Sequence, residues 1–168
     1  MSTDCTERVA DADDLGPARF ALSKAIDLHL TIASVLGPLF EHDQTSLLIF
    51  LDLLRASVSH VNGPARPHAL AASGLLPDGL RRPVSMRGVS QRTNLPYETV
   101  RRHTLRLVER GYCDRVGSRG FVVPARVLNH PDIRRATLSA APTITRSAAA
   151  IHSLADVEGA AAETQPCS

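Results

Sequence analysis

From Pro17 to Phe40, apolar residues return every three or four positions, at Leu22, Ala25, Ile26, Ala33, Leu36 and Phe40. That spacing gathers side chains on one face of an α-helix. Pro17 suits a first turn, and Gly37-Pro38 bends or ends the helix. A second helix is predicted over Asp43 to His60 behind a capping-type start, with Leu47, Leu48, Phe50, Leu51, Leu54 and Val58 forming a stripe for a core. Residues 62–82, NGPARPHALAASGLLPDGLRR, read as a long connection with one short helical turn near Ala69 to Ser73.

Beyond it the pattern tightens. Pro83-Val84-Ser85 reads as extended, Met86 to Thr93 as a short helix, Asn94-Leu95-Pro96 as a turn, and Pro96 to Arg110 as a third helix with Gly111 as its left-handed cap. Tyr112 to Val116 and Phe121 to Pro124 read as strands joined by Gly117-Ser118-Arg119-Gly120. Helical segments follow over Ala125 to Ala140 and Pro142 to Val157, with breaks expected at Pro131 and Pro142. Residues 1–14 and 158–168 are polar and unpatterned, and are expected to be disordered. A chain of 168 residues supports one core with helical extensions.

Charge changes this picture because it is segregated. The net +2 of the chain divides into −5 over residues 1–80, +8 over residues 81–126 and −1 over residues 127–168. A cationic surface confined to one segment is the footprint of a polyanion-binding face. Lys24 is the only lysine, which fits GC-rich coding as well as it fits bidentate phosphate and guanine contacts.

A wheel drawn on the helix after Pro96 gathers Val100, Thr104, Leu107 and Val108 on one side and Thr99, Arg102 and Arg106 on the other, with Arg101 on the flank. One face can anchor in a core while the opposite face carries guanidinium groups outward. Such a helix fits the major groove of duplex DNA, where arginine can hold guanine O6 and N7. Arg115 and Arg119 on the hairpin are placed to meet the sugar-phosphate backbone or the minor groove. Leu105 is a misfit near the exposed face, either touching a thymine methyl group or covering a neighbouring element.

The stretch PVSMRGVSQRTNLPYETVRRHTLRLVERGYCDRVGSRGFVVP, residues 83–124, resembles the winged helix-turn-helix of bacterial transcription regulators such as the MarR-like and GntR-like groups. The resemblance implies a mainly α fold with a small β wing, flanked by N- and C-terminal helices. It implies N-terminal helices over residues 15–61 that include the first helix of the motif, the helix-turn-helix and wing over 83–126, and C-terminal helices over 127–157. It implies sequence-specific binding to double-stranded DNA, with Tyr97, Thr99, Arg101, Arg102 and Arg106 facing bases or nearby phosphates and Ser90 and Arg92 near the backbone. The wing turn is shorter than in MarR-like regulators and lacks their charged cluster, and the connection over 62–82 is longer than such motifs usually need.

The terminal helices suggest a homodimer, with Ala148, Ile151, Leu154 and Ala155 as interface candidates. A small-molecule effector between the terminal and central helices is a refinement of this reading. The rival is a winged-helix module whose basic face docks an acidic protein partner. Cys5, Cys113 and Cys167 are odd in number and far apart, which indicates neither a disulfide framework nor a zinc site. Cys113 among arginines raises redox sensing through a lowered thiol pKa, although a structural cysteine is the simpler expectation. No spacing typical of a metal site, nucleophile elbow or phosphate loop appears, so no cofactor and no enzymatic activity are expected. The acidic start and the absence of a long apolar run point to the cytoplasm and away from the membrane.

Overall fold

The computed structural model describes residues 15–61 and 76–163, with side chains as far as residue 153. The acidic start, most of the long connection with its expected turn at Ala69 to Ser73, and the last five residues lie outside the described residues. The chain is mainly helical with a small two-stranded antiparallel sheet. It divides into two compact units, Ala33–Ser139 and one drawn from Met1–Ile32 with Ala140–Ser168.

In the larger unit, a single turn of 3-10 helix at Gly37–Phe40 leads through the left-handed residues Glu41 and His42 into α2, Gln44–Val58, which follows α1, Leu15–Leu36. Asp43 caps α2, its carboxylate accepting from the backbone N–H groups of Thr45 and Ser46 at 3.1 Å each. Another short 3-10 turn, Asp78–Leu80, precedes α3, Met86–Thr93, which is capped by the Ser85 hydroxyl accepting from Gly88 N–H. Asn94 ends α3 in the left-handed conformation, which asparagine tolerates better than most residues. After Leu95 and Pro96 the chain enters α4, Tyr97–Glu109, and Gly111 closes it at φ +74° as the sequence predicted.

Strands β1, Asp114–Val116, and β2, Gly120–Val122, pair antiparallel with Arg115 opposite Phe121. Val84 adds one bridge to the outer side of β2, exchanging N–H···O bonds of 2.8 and 2.9 Å with Phe121. The hairpin is thereby tied to the extended piece before α3. Gly120 makes this possible. Its φ is +134°, and a Cβ there would collide with the Val84 carbonyl.

The core draws one stripe from each element: Phe40, Leu47, Ile49, Phe50 and Leu53 meet Val89, Val100 and Leu107, and the hairpin adds Cys113, Phe121 and Val123. Phe40, Phe50 and Tyr112 form an aromatic trio with centroids 4.9 to 6.1 Å apart, and the Tyr112 hydroxyl donates to Leu39 O at 2.9 Å. On α2 the expected stripe is corrected. Ile49 and Leu53 are buried and Leu48 is 44% exposed, because the helix turns its 46–50–53–57 line inward.

Two C-terminal expectations are also corrected. After α5, Ala125–Leu128, the helix α6 runs unbroken from Pro131 to Glu163 with Pro142 inside it. Pro131 starts that helix, where a missing N–H costs nothing, whereas Pro142 removes only the one bond that would reach Leu138 O. The expected disorder from residue 158 gives way to helix as far as Glu163.

In the smaller unit no described residue of α1 is buried. Leu15, Leu22, Ile26 and Leu30 leave an apolar line exposed along it, Leu22 and Leu30 at 60% each. Counted together with the turn that follows, Leu15–Phe40 is long and apolar enough to cross a bilayer by length and composition, although Arg19, Lys24 and Asp27 interrupt its apolar run. On α6, Ala141, Ile144, Ala148 and Ile151 lie exposed at alternating three- and four-residue steps. Across a shallow groove, Lys24, Asp27 and Thr31 of α1 face Thr143, Arg146 and Ser147 of α6.

Candidate nucleic-acid interface

The amphipathic pattern of α4 fixes which residues project from it. Val100, His103, Thr104 and Leu107 are buried, which leaves Tyr97, Arg101, Arg102 and Arg106 exposed on the other side. His103, placed on neither face by the sequence wheel, is among the buried set. The Ser46 hydroxyl donates to Asp43 Oδ2 at 2.8 Å and so accepts from His103 Nδ1 at 2.9 Å; the same nitrogen lies 3.1 Å from Asp43 Oδ2. Burial raises the Asp43 pKa, but hydrogen bonds from the side chain and backbone of Ser46, the neighbouring His103 and the Thr45 N–H outweigh it and hold the carboxylate below its ordinary value. The cap of α2 thus grips α4 from its inner side.

A second grip joins α3 to α2. Arg92 donates from Nε and Nη2 to both carboxylate oxygens of the buried Asp52, at 2.8 to 3.2 Å. Arg92, expected near a DNA backbone, is held by this acid and does not line the concave face described next. Ser90 is half-buried and its hydroxyl donates to Leu95 O at 2.7 Å, which fixes the turn between α3 and α4.

Between α3, α4 and the hairpin lies a trough of about 970 Å³. Arg87, Arg101, Arg115 and Arg119 line it, with Tyr97 and Leu105 along the α4 side. Arg101 is tied to Glu98 at 2.8 Å in an exposed pair, and Arg115 Nε donates to Gly117 O at 3.3 Å within the hairpin. Thr99, Arg102 and Arg106 lie on the adjoining face of α4, which Arg101 and Leu105 also share. Among the described residues Arg82, Arg87, Arg102, Arg106, Arg115 and Arg119 form no ion pair, whereas Arg81, Arg92, Arg101, Arg110 and Arg126 do. Five of the arginines of the basic segment are therefore ion-paired, and those that remain free, apart from Arg82, lie on α3, α4 and the hairpin.

Arg87 and Gln91 line the trough without having been singled out in the sequence. The signal was present. A wheel on MRGVSQRT with Val89 inward turns Arg87 and Gln91 outward and brings Arg92 toward the interior. Cys113 is 1% exposed, and burial, with the Asp114 carboxylate beside it, pushes its thiol up to about 12. The lowered pKa that redox sensing needs is contradicted. Of the interface candidates on the last helix, Ala148 and Ile151 are exposed, while the side chains of Leu154 and Ala155 lie outside the described residues. Compared with family models, with curated proteins and with solved structures, the chain matches none.

Proposed function

We propose that the unit Ala33–Ser139 is a winged helix-turn-helix that binds double-stranded DNA and regulates transcription. In this reading α2, α3 and α4 form the three-helix core, α4 enters the major groove, and the hairpin is the wing lying on the backbone or in the minor groove. The observation that carries it is the arginine-lined trough, where Arg87 of α3 and Arg115 and Arg119 of the hairpin, all unpaired, converge with Arg101 of α4, which is held by Glu98 in an exposed pair. A duplex presents a matching surface: phosphates along the rims and guanine acceptors within the groove. The part-buried contacts of Asp43 with His103, which hold α4, and of Asp52 with Arg92, which hold the α3 packed beside it, support it further, since a reading helix has to be held in a fixed orientation.

A second copy of the chain completes the proposal. The exposed line on α6, Ala141, Ile144, Ala148 and Ile151, repeats at the spacing of a helix–helix seam, and α1 adds the apolar line from Leu15 to Leu30. Pairing through these helices would present two reading helices to two half-sites.

Selection of bound duplexes from a random pool by the purified protein tests the reading. Enrichment of one motif, with affinity falling roughly linearly with log salt, is expected. Retention of all duplexes and heparin equally would leave only charge, and no retention at low salt would favour an acidic protein partner.

A further inference from the structure

We infer that Leu105 reads the 5-methyl group of a pyrimidine, thymine in unmodified DNA, and so sets part of the sequence preference. The inference rests on the DNA-binding reading and adds one specific contact to it. Leu105 projects from the side of α4 opposite Val100 and Leu107 and belongs neither to the core cluster nor to the side chains packed against it. It lines the trough and also the adjoining face of α4. Leu105 is half-buried, so neighbouring side chains cover part of it, but none of that cover comes from the core, and the rest lines the trough.

The surroundings identify what Leu105 would meet. Arg101 and Arg102 stand four and three positions before it, so their guanidinium groups flank the same surface of the helix. An apolar protein partner would set those cations against hydrocarbon. The apolar lines suited to a second copy lie instead on α1 and α6. In the major groove, acceptors for arginine and an apolar group alternate within a few ångströms, and the apolar group is the pyrimidine 5-methyl. One leucine between arginines matches that edge. Thymine carries the methyl group always, cytosine only when methylated.

The test uses the full chain and the duplex selected from an unmethylated pool. Each thymidine is replaced in turn by deoxyuridine, which removes the methyl and leaves the pairing edge intact, and each deoxycytidine by 5-methyldeoxycytidine. At one thymidine the loss for the unaltered protein should be about fourfold, the effect of one buried methyl-sized group. Leu105→Ala, which circular dichroism should show folded, should bind the deoxyuridine and thymidine duplexes equally there. A gain of similar size at one methylated cytosine, abolished by Leu105→Ala, would assign the contact to modified DNA. If no pyrimidine position responds, or if the response survives in Leu105→Ala, the inference is overturned while DNA binding stands. If the pool yields no motif, the underlying reading fails as well.

Discussion

Arg92 and Asp52 meet side-on, Nη2 to Oδ2 at 2.8 Å and Nε to Oδ1 at 2.9 Å, and fasten α3 to α2 with the acid only 8% exposed. Removing the arginine alone leaves a buried carboxylate without its donors. Arg92→Ala should therefore lower stability by about 1.5–3 kcal/mol, and Asp52→Ala by a comparable amount. The double variant should cost less than the two summed, as urea unfolding of all four proteins would register. Additive losses would mean that the pair contributes nothing beyond packing. A stable Arg92→Ala protein with a reduced salt slope would return Arg92 to the DNA-facing set.

If α4 enters the major groove and the hairpin grips the backbone, as proposed, substitutions in the two should fail differently. Arg102→Ala should lose about 1–3 kcal/mol on the selected duplex and relax preference, because a bidentate guanine contact is sequence-specific. Arg119→Ala should weaken all duplexes alike and reduce the salt slope by about one, as for a lost phosphate contact. Fluorescence anisotropy on selected and scrambled duplexes at several salt concentrations separates the two. An unchanged ratio between those duplexes in Arg102→Ala would remove Arg102 from the reading face.

Acid should loosen the fold through two carboxylates. Asp114 is lowered by its hydrogen bonds to Arg126, which donates from both terminal nitrogens at 2.6 Å, against the opposing effect of burial. Asp43 is lowered as well. With folded values below the ordinary 3.8, their stabilisation is present above that value and is lost as pH falls through the lowered ones. Thermal melts should show the midpoint dropping from about pH 4 downward, and less steeply in Asp43→Ala. At neutral pH that variant should also lose about 1 kcal/mol with its helix cap. The Asp114 pair is half-exposed and screened, so its share should be the smaller. An acid limb identical in Asp43→Ala and the unaltered protein would remove Asp43 from this account.

The apolar lines on α1 and α6 should be covered by a second chain. Light scattering should give about twice the chain mass, and Ile144→Lys with Ile151→Lys should give the single-chain mass without loss of helix. A single-chain mass for the unaltered protein, together with flotation on phosphatidylcholine vesicles, would assign α1 to a bilayer.

The helices and the hairpin were legible because each carries local punctuation: Asp43 and Ser85 as caps, Asn94-Leu95-Pro96 as a turn, and Gly111 as a stop. The inner line of α2 is not legible in the sequence because leucines and isoleucine fill more than half of its circumference, and periodicity then cannot choose among them. Pro142 reads in the sequence as a break because a breaker's cost is local, while α6 recovers it over many turns. Within the candidate site the arginines of α4 were readable from one helix. The partners of Arg92 and His103 were not, since Asp52 is 40 residues away and Ser46 is 57. Arg92 and Arg110 are taken up by acids far along the chain, pairings that leave no periodic trace, whereas Arg81 and Arg101 pair three positions away.

The bridge between Val84 and Phe121 divides the hairpin into stiff and compliant parts. Arg115 stands opposite Phe121, in the row anchored to the segment before α3, whereas Arg119 sits in the turn beyond the last paired row, Val116 with Gly120. A cation on the anchored row reaches a phosphate with little ordering left to lose, and one at the tip reaches it only by giving up freedom. On a duplex, Arg115 would therefore act as a fixed ruler for the groove edge. Arg119 would follow the local width of the groove, letting one protein accommodate sites whose backbones differ in shape.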